Sequence, residues 1–503
     1  MDYVQNKWIM ENTIEKREYQ EKIVETAIKA NTLCVLPTAM GKTIIALLVV
    51  ARLLDKNKKI LFLAPTRPLV DQHKNTFEKA LKLGLNLVAV TGKIDPEKRK
   101  ELYRLGDIIF ATPQCIKNDS KNGILSFENF SLLIVDEAQH SVGNYAYTYI
   151  ASKFMRETKS EGLILGLTAS PSGKYSKIYE IKRNLFIKQV EIRSDKDYDV
   201  KPFVKPISIN WVEVELSPEL ENIRKRLQEM RNEKIEMLMK WGVIHYGHLS
   251  KKDILDIQKR LAKVKKGISF AAISVLAEII KIDYAIELLE TQTISSLKEY
   301  LNKIIEQAKE KKSRADIRLA SDKRLHEIMN EANKIETHPK LTKLKEIVEQ
   351  ELKNPSARIM IFAQFRSTVK RIKDVLENIQ NCKPVVLVGQ RGEDGLRQQK
   401  QIELIRLYDA GTYNTLITTS IGEEGIHLGS ATTAIFFEPV PSEIRTIQRR
   451  GRVGRERPGK IFILMTKKTR DQAYFWSAHH KEKKMINILE RMKKQPDLKT
   501  FSE

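Results

Sequence analysis

The chain of 503 residues contains very little cysteine. Its three cysteines, Cys34, Cys115 and Cys382, lie far apart and form no CxxC pair. Zinc sites and disulfide frameworks need more cysteines or closer spacing, so this usage argues against both. It favours reduced thiols in a cytoplasmic protein.

Long apolar runs are also missing. The longest, from Ile44 to Leu54, is interrupted by Arg52, and a membrane-spanning helix needs about 20 apolar residues. The first residues lack a basic segment followed by an apolar one, so we expect no secretory signal. Without repeats or low-complexity tracts, a soluble globular chain of this length should hold roughly two to four domains.

Charge, in contrast, is abundant and unbalanced. The chain has 88 Lys and Arg against 64 Asp and Glu, a formal net charge of +24. The excess is spread over the whole sequence, which favours a polyanionic partner such as nucleic acid over solubility alone. DNA and RNA present the same phosphates, so charge does not distinguish them.

Short apolar runs alternate with helical stretches in two parts of the chain. Runs that lack alternation indicate parallel strands buried on both faces, and their interleaving with helices indicates α/β lobes. We predict a first lobe over residues 1–210 and a second over residues 338–470. The predicted strands are 33–36, 60–64, 87–90, 107–111, 132–135 and 163–167, then 359–362, 385–388, 415–418, 433–437 and 460–464.

The strand signal disappears between the two lobes. Ser217-Pro218 has the pattern of a helix N-cap followed by proline at the first helical position, and long charged amphipathic stretches follow. The fold class is therefore predicted as α/β, with two parallel-sheet lobes and an all-helical insertion over residues 217–335. Residues 471–503 are expected to form a C-terminal helical tail.

A phosphate-binding loop follows the first predicted strand and precedes an apolar helix, which is the context that this motif requires. Backbone N–H groups at the start of a helix can cradle phosphate. Lys42 would reach the β- and γ-phosphates and the Thr43 hydroxyl would bind Mg²⁺, so ATP and Mg²⁺ are the predicted cofactors. The loop residues are Pro37, Thr38, Ala39, Met40, Gly41, Lys42 and Thr43.

Two further motifs carry the predicted chemistry. Asp136 and Glu137 end a buried strand, and a carboxylate there faces the ligand crevice of an open α/β sheet. Asp136 would hold Mg²⁺ through water, and Glu137 would deprotonate the attacking water.

Arg452 and Arg455 lie on the second lobe with i, i+3 spacing. The planar, permanently charged guanidinium group of an arginine can bind two phosphate oxygens at once. We predict that they are fingers that complete the site when the lobes close, an effect worth about 10³–10⁵ in rate.

In this order, the motifs resemble those of a superfamily 2 helicase with two RecA-like lobes. The resemblance implies that Arg17 and Gln20 read adenine and that Gln448 contacts the γ-phosphate or the attacking water. It also implies a nucleic-acid track that holds the phosphodiester backbone without reading bases. The track residues are Pro65, Thr66, Arg67, Thr91, Gly92, Thr112, Pro113, Thr419 and Ser420, and the coupling residues are Thr168, Ala169, Ser170, Gly422 and Glu424.

Longer strings narrow the resemblance to the archaeal Hef helicase and its Fanconi-anaemia M-type relatives. They lie at residues 142–147, 284–292, 437–442 and 469–477. The likeness covers nearly the whole chain and implies an ATP-dependent DNA helicase or translocase that acts on forked or branched DNA in replication-fork repair. It also implies a thumb-like insertion that grips a duplex or junction. The nuclease signature of full-length Hef proteins is missing, so we expect no nuclease activity.

The chain departs from the family pattern at three positions. Ala39 stands where the family usually has glycine, Gln139 where it has histidine, and His427 where it has aspartate. Glutamine can still bridge the two lobes by hydrogen bonds. Histidine cannot act as a carboxylate, so we assign no catalytic role to His427.

The last residues resemble a sliding-clamp peptide. Gln495, Leu498 and Phe501 have QxxLxxF spacing, which places the two apolar side chains on one face of a helical turn. The second aromatic residue of such peptides is replaced by Ser502.

Two other functions remain open at this point. One is an RNA helicase or double-stranded-RNA translocase of the related branch, which an ATPase assay with forked DNA and matched RNA would distinguish. The other is a non-hydrolysing DNA- or clamp-binding scaffold, which measurable ATP turnover would exclude.

Overall fold

The two predicted lobes and the helical insertion are all present. The computed structural model describes residues 2–54, 58–247, 249–264, 267–390, 395–422, 431–454 and 457–494. Two parallel sheets with helices around them are accompanied by an all-helical region, which confirms the predicted fold class. Within these ranges no helix is long and apolar enough to cross a membrane.

The first lobe is built around a sheet of seven parallel strands. Two of them, β1 and β4, are buried at every position, and β2, β5 and β6 at all positions but one, because helices cover both faces of the sheet. In chain order the strands are β1 (Thr32–Val35), β2 (Lys59–Leu63), β3 (Leu87–Val90), β4 (Ile108–Ala111), β5 (Phe130–Val135), β6 (Leu163–Thr168) and β7 (Gln189–Ile192). They lie across the sheet in the order β3-β4-β2-β5-β6-β1-β7. The edge strand β7 is half exposed, so it has no apolar run by which the sequence could predict it.

Within the described residues of this lobe, seven α-helices surround the sheet. Three begin with proline at the first or second helical position, where its missing N–H costs nothing. The helices are α1 (Glu18–Ala27), α2 (Lys42–Leu53), α3 (Arg67–Ala80), α4 (Pro96–Leu105), α5 (Pro113–Lys121), α6 (Ala146–Glu157) and α7 (Tyr175–Asn184).

The insertion is a bundle of helices. As predicted, Ser217 is the N-cap of the first helix, and its hydroxyl accepts from the N–H of Leu220 at 3.4 Å. The bundle has two apolar cores, and the first and third helices are long enough to contribute to both. Its helices are α8 (Pro218–Lys240), α9 (Lys251–Val264), α10 (Gly267–Thr291), α11 (Ile294–Lys309), α12 (Arg314–Ser321) and α13 (Lys323–Lys334).

The second lobe contains a sheet of six parallel strands. They are β8 (Ile207–Val214), β9 (Ile359–Phe362), β10 (Pro384–Leu387), β11 (Thr415–Thr418), β12 (Thr433–Phe436) and β13 (Gly459–Thr466), in the order β10-β11-β9-β12-β13-β8. The helices of this lobe are α14 (Pro339–Glu351), α15 (Arg366–Leu376), α16 (Gln398–Asp409), α17 (Glu443–Arg450) and α18 (Arg470–Lys494).

One strand corrects the predicted boundary of the first lobe. The sequence pattern predicts residues 207–210 in that lobe, but they belong to β8, which pairs with β13 from Ile207 opposite Gly459 to Val214 opposite Thr466. The second sheet therefore begins before the insertion, and the insertion is set inside the second lobe. The partner strand lies so far along the chain that local sequence pattern carries no information about this pairing.

The last helix, α18, contacts all three parts of the molecule. Arg470, at its first turn, bonds Asp283 of the insertion at 2.9 Å. Further along, Phe475 packs against Trp211 of the second lobe, with ring centroids 4.2 Å apart. Its last turns add three apolar side chains to the core of the first lobe: Met485, Leu489 and Met492.

A buried ion pair lies where the insertion meets the second lobe. The ammonium group of Lys340 contacts the carboxylate of Asp471, and both side chains are fully buried. Lys340 also donates to the carbonyl of Thr291 at 3.0 Å, and Asp471 accepts from the N–H of Thr466 at 3.0 Å. Burial raises the pKa of Asp471 above its usual range, although the positive charge of Lys340 acts to lower it.

We predict that Asp471→Asn strongly destabilises the protein. The substitution leaves the Lys340 ammonium buried beside a neutral group, and breaking a buried pair in this way costs about 3–5 kcal/mol. Glu346→Gln is the control. It breaks the exposed ion pair Lys343–Glu346 on α14, the helix that carries Lys340, and should cost about 1 kcal/mol of stability at most. Denaturant unfolding followed by circular dichroism measures both. Equal shifts for the two variants would show that the buried pair is not important for stability.

Candidate active site

The predicted residues of the first lobe follow the carboxyl ends of its strands. Thr91 follows β3, Thr112 follows β4, Asp136 follows β5, and Thr168 ends β6. The phosphate loop follows β1 in the same way. Because neighbouring strands are parallel, these ends meet at one edge of the sheet, which is where open α/β sheets bind ligands.

The phosphate loop has two residues in the left-handed region, Ala39 with φ 65° and Gly41 with φ 78°. At Gly41 an added Cβ would lie 2.5 Å from Nε2 of Gln20, so a side chain there would displace Gln20 as well as strain the left-handed backbone. Ala39 has a left-handed backbone conformation, which glycine, the usual residue of the family at this position, adopts without strain. A left-handed conformation costs an alanine about 1 kcal/mol, and this loop carries that cost.

Lys42 is the first residue of α2, so its backbone is at the helix N-terminus. Its ammonium group donates to the carbonyls of Leu36 and Pro37 at 3.2 and 3.4 Å. The ammonium group therefore lies against the carbonyl groups of the loop that the sequence assigns to phosphate.

The predicted adenine element contacts the same loop. The hydroxyl of Tyr19 and the amide of Gln20 both donate to the carbonyl of Met40, at 2.9 and 3.4 Å. The guanidinium of Arg17 stacks over Phe203, 4.4 Å from the ring centroid. Gln20 thus contacts the phosphate loop directly, whereas Arg17 reaches it through Tyr19, whose hydroxyl accepts from the Arg17 guanidinium at 3.4 Å.

A histidine joins the two predicted Mg²⁺ ligands. Nδ1 of His73 lies 3.3 Å from Oγ1 of Thr43, and Nε2 lies 2.9 Å from Oδ2 of Asp136. His73 is on α3 and is buried. Sequence reasoning missed this residue, although a histidine in register with the buried positions Val70 and Phe77 of the helix is a detectable signal.

Asp136 is buried but ionised. Burial by itself would raise the pKa of Asp136, but the hydrogen bond from His73 and the charge of Lys42 hold it below its usual range. Within the described ranges no group of three or more His, Cys, Asp or Glu could hold a metal ion. A nucleotide-bound Mg²⁺ needs only one or two carboxylates, with phosphates and waters completing its shell. A charged Asp136 near the hydroxyl of Thr43 fits that requirement.

Glu137 begins a chain of hydrogen bonds. It has φ 50°, and its carboxylate accepts from the amide of Gln139 at 2.6 Å. The other atom of that amide accepts from the hydroxyl of Thr168 at 2.7 Å, and Thr168 in turn accepts from the N–H of Ser170 at 3.1 Å. In this structure Gln139 bridges two residues of the first lobe, whereas the sequence suggested a bridge between lobes.

The predicted finger segment of the second lobe lies directly on the phosphate loop. Gln448 and Arg452 are both buried near the end of α17. Between them, Gly451 packs against Thr38 so closely that an added Cβ would lie 2.5 Å from the threonine Oγ1. The two lobes therefore touch at the predicted ATP site.

A second contact between the lobes was not predicted. Glu443, at the first turn of α17, is buried and accepts from the backbone N–H of Gly173 at 3.0 Å. Gly173 follows the predicted coupling residues Thr168, Ala169 and Ser170 by a few positions. Nothing in the sequence marks Glu443, because a charged residue at a helix start ordinarily faces solvent.

The remaining predicted residues are placed as follows. Pro65 and Thr66 follow β2 and lead into α3 at Arg67, Gly92 follows Thr91, Pro113 starts α5, and Thr419 and Ser420 follow β11. Gly422 packs against Thr418, where a Cβ would lie 2.4 Å from the threonine methyl group. Five predicted residues lie outside the described ranges: Glu424, Arg455, Gln495, Leu498 and Phe501.

Three protein-family models match consecutive parts of the chain. The DEAD/DEAH box helicase family matches residues 17–178, and the helicase conserved C-terminal domain matches residues 339–457. Between them, residues 219–338 match the helical bundle of a provisionally named ATP-dependent RNA helicase.

Individual proteins match nearly the whole chain. The crystal structure of the Pyrococcus furiosus Hef helicase domain is 38% identical with a TM-score of 0.72, covering 94% of this chain and all of that one. A Methanocaldococcus jannaschii protein, provisionally named an ATP-dependent RNA helicase, is 40% identical over 97% of this chain and 63% of its own length. The ATP-dependent DNA helicase fml1 of Schizosaccharomyces pombe is 31% identical over 92% of this chain and 58% of its own length. The chain thus spans less than two thirds of these two curated relatives.

We predict that Gly451→Ala slows ATP hydrolysis. The new methyl group would collide with Thr38 and push the finger segment away from the phosphate loop, and a displacement of about 1 Å can cost roughly 10²-fold in rate. Binding of a non-hydrolysable ATP analogue should change far less. Gly247→Ala is the control, since a Cβ there meets nothing within 4 Å. If the two variants hydrolyse ATP equally fast, the contact has no catalytic role.

Proposed function

The chain belongs to the Hef and Fanconi-anaemia M type of superfamily 2 helicases, and we propose that it is an ATP-driven translocase that remodels forked or branched DNA. The contact between the two lobes at the phosphate loop is the observation that carries this proposal. A nucleotide bound at Lys42 would lie between the lobes, so its hydrolysis would change how they meet.

Each of the residues around that contact would have its own role in ATP hydrolysis. Lys42 would neutralise the β- and γ-phosphates, and Glu137 would accept a proton from the attacking water, which Gln448 would help to orient. Arg452, with Arg455, would stabilise the charge of the transferring phosphoryl group from the second lobe. Thr43 and Asp136 would hold Mg²⁺, which would neutralise the charge that develops on the phosphates.

The hydrogen-bond chain from Glu137 supports a route from hydrolysis to movement. It passes through Gln139 to Thr168 and Ser170, and Gly173 then contacts Glu443 on the second lobe. A change in the bonding of Glu137 would therefore reach a segment that touches the other lobe. We assign the coupling role to this segment.

The track and the insertion supply the contacts to nucleic acid. The track residues lie at the carboxyl ends of β2, β3, β4 and β11, and their proposed role is to bind a phosphodiester backbone. The helix α9 of the insertion exposes basic side chains, and such side chains bind phosphates without reading sequence. They are Lys251, Lys252, Lys259, Arg260 and Lys263.

DNA is the proposed substrate because of the strings shared with Hef and the Fanconi-anaemia M type. RNA is the second candidate, favoured by one specific observation. The Methanocaldococcus jannaschii relative and the family of the helical bundle both carry the name of an RNA helicase.

We predict that forked DNA stimulates ATP hydrolysis more than blunt duplex or matched RNA does. Lys42→Ala and Arg452→Ala should each reduce the stimulated rate by about 10³-fold or more, because each removes a charge from the transition state. Lys29→Ala, in the exposed turn that follows α1, should leave the rate unchanged. Stimulation by RNA alone would favour the second candidate, and turnover that survives Lys42→Ala would contradict the site assignment.

Binding to duplex DNA should depend steeply on salt. Each phosphate neutralised by the protein contributes a slope of about −0.9 to log affinity against log salt. Fluorescence anisotropy between about 50 and 200 mM salt should therefore show a fall of roughly 10³-fold if six or more phosphates are contacted. Replacing Lys259 and Lys263 with alanine should make the slope shallower by about 2. An affinity that does not change with salt would contradict backbone tracking.

A further inference from the structure

His73 is held in one orientation by its surroundings. The ring packs on Phe62, with centroids 4.5 Å apart, and lies on the buried face of α3. Its two nitrogens reach Thr43 and Asp136, which belong to two other segments at the same sheet edge. A side chain fixed by packing can fix its hydrogen-bond partners in turn.

The chemistry of the three groups sets the direction of both hydrogen bonds. An ionised carboxylate only accepts, so Nε2 of His73 donates to Asp136. In the tautomer that carries its proton on Nε2, Nδ1 is an acceptor and receives the proton of the Thr43 hydroxyl. The Thr43 oxygen therefore keeps its lone pairs for another partner, while one oxygen of Asp136 is fixed in place.

We propose that His73 is a positioning residue for the nucleotide-bound Mg²⁺ and that it orients both protein groups that receive the ion. This inference rests on the proposed function, because Thr43 and Asp136 bind Mg²⁺ only if the chain binds Mg-ATP. A hydroxyl that gives a lone pair to a cation needs an acceptor for its proton, and Nδ1 is that acceptor. The imidazole also separates the hydroxyl from the carboxylate, so the two do not bond directly to each other.

The partners of His73 distinguish it from a histidine that only fills a core. His338 is also buried, and it provides the comparison. Its Nε2 donates to the backbone carbonyl of Leu289 at 3.1 Å, and its Nδ1 accepts from the backbone N–H of Lys340 at 3.2 Å. His338 therefore ties backbone to backbone, whereas both nitrogens of His73 are used on side chains of the predicted metal site.

The test measures binding and not turnover. A fluorescent, non-hydrolysable ATP analogue is titrated onto the full chain at increasing Mg²⁺ concentration and again in EDTA. His73→Ala should raise the Mg²⁺ concentration needed for tight binding by about 10–100-fold, the usual effect of losing a group that orients metal ligands. Affinity in EDTA should stay as in the unaltered chain.

Two conservative variants separate the two hydrogen bonds. In His73→Gln the amide nitrogen reaches the position of Nε2, so the bond to Asp136 is kept and the acceptor for Thr43 is lost. In His73→Asn the amide oxygen lies near the position of Nδ1, so the acceptor is kept and the bond to Asp136 is lost. Each should have a smaller effect on Mg²⁺ dependence than His73→Ala.

His338→Ala is the matched control. It should lower the melting temperature while leaving the Mg²⁺ dependence of binding unchanged. If His73→Ala does not fold, the glutamine and asparagine variants provide the same measurement.

The outcomes separate this inference from the proposed function. Unchanged Mg²⁺ dependence in the folded His73 variants, with normal Mg-nucleotide binding by the unaltered chain, overturns the role of His73 alone. If the unaltered chain does not bind the analogue with Mg²⁺, both the proposed function and this inference are wrong. A shift in His73→Ala that His338→Ala lacks supports the role of His73.

Discussion

Parallel pairing in both sheets determines where the polar residues of this molecule can lie. A parallel strand must return through a crossover helix, so all strands of a lobe point the same way and their carboxyl ends share one edge. Helices cover both faces, which leaves that edge as the place where loops can carry polar groups. The phosphate loop, Asp136 and the segment after β6 all lie there because of this constraint.

The sequence predicts those parts of the fold whose physical cause is local. A buried parallel strand is a continuous apolar run, so β2, β4 and β9 could be recognised without any partner. Pairing between distant segments has no such mark. β8 belongs to the second sheet because it pairs with β13, which lies beyond the whole insertion in the sequence. Likewise, the sequence does not indicate that Met485, Leu489 and Met492 at the end of α18 pack into the core of the first lobe.

The same distinction applies to the candidate site. Lys42, Asp136 and Arg452 follow from motifs because phosphate chemistry allows few residue types at those positions. His73 and Glu443 act through partners far away in sequence, at Asp136 and Gly173, and neither partner is marked by spacing. The departures from the family pattern are also clearer in the structure, since Ala39 takes the left-handed conformation that glycine adopts freely and Gln139 forms a complete hydrogen-bond bridge.

The length and the contacts of helix α18 limit how the two lobes can move relative to each other. It is 25 residues long, which at 1.5 Å per residue is a rod of about 37 Å. It is anchored to the insertion at one end, to the second lobe along its length, and to the first lobe at the other end. A stiff rod cannot stretch, so the lobes cannot simply move apart while all three anchors hold. Any relative movement of the two lobes must therefore either keep the length of this helix or break one of the three sets of contacts.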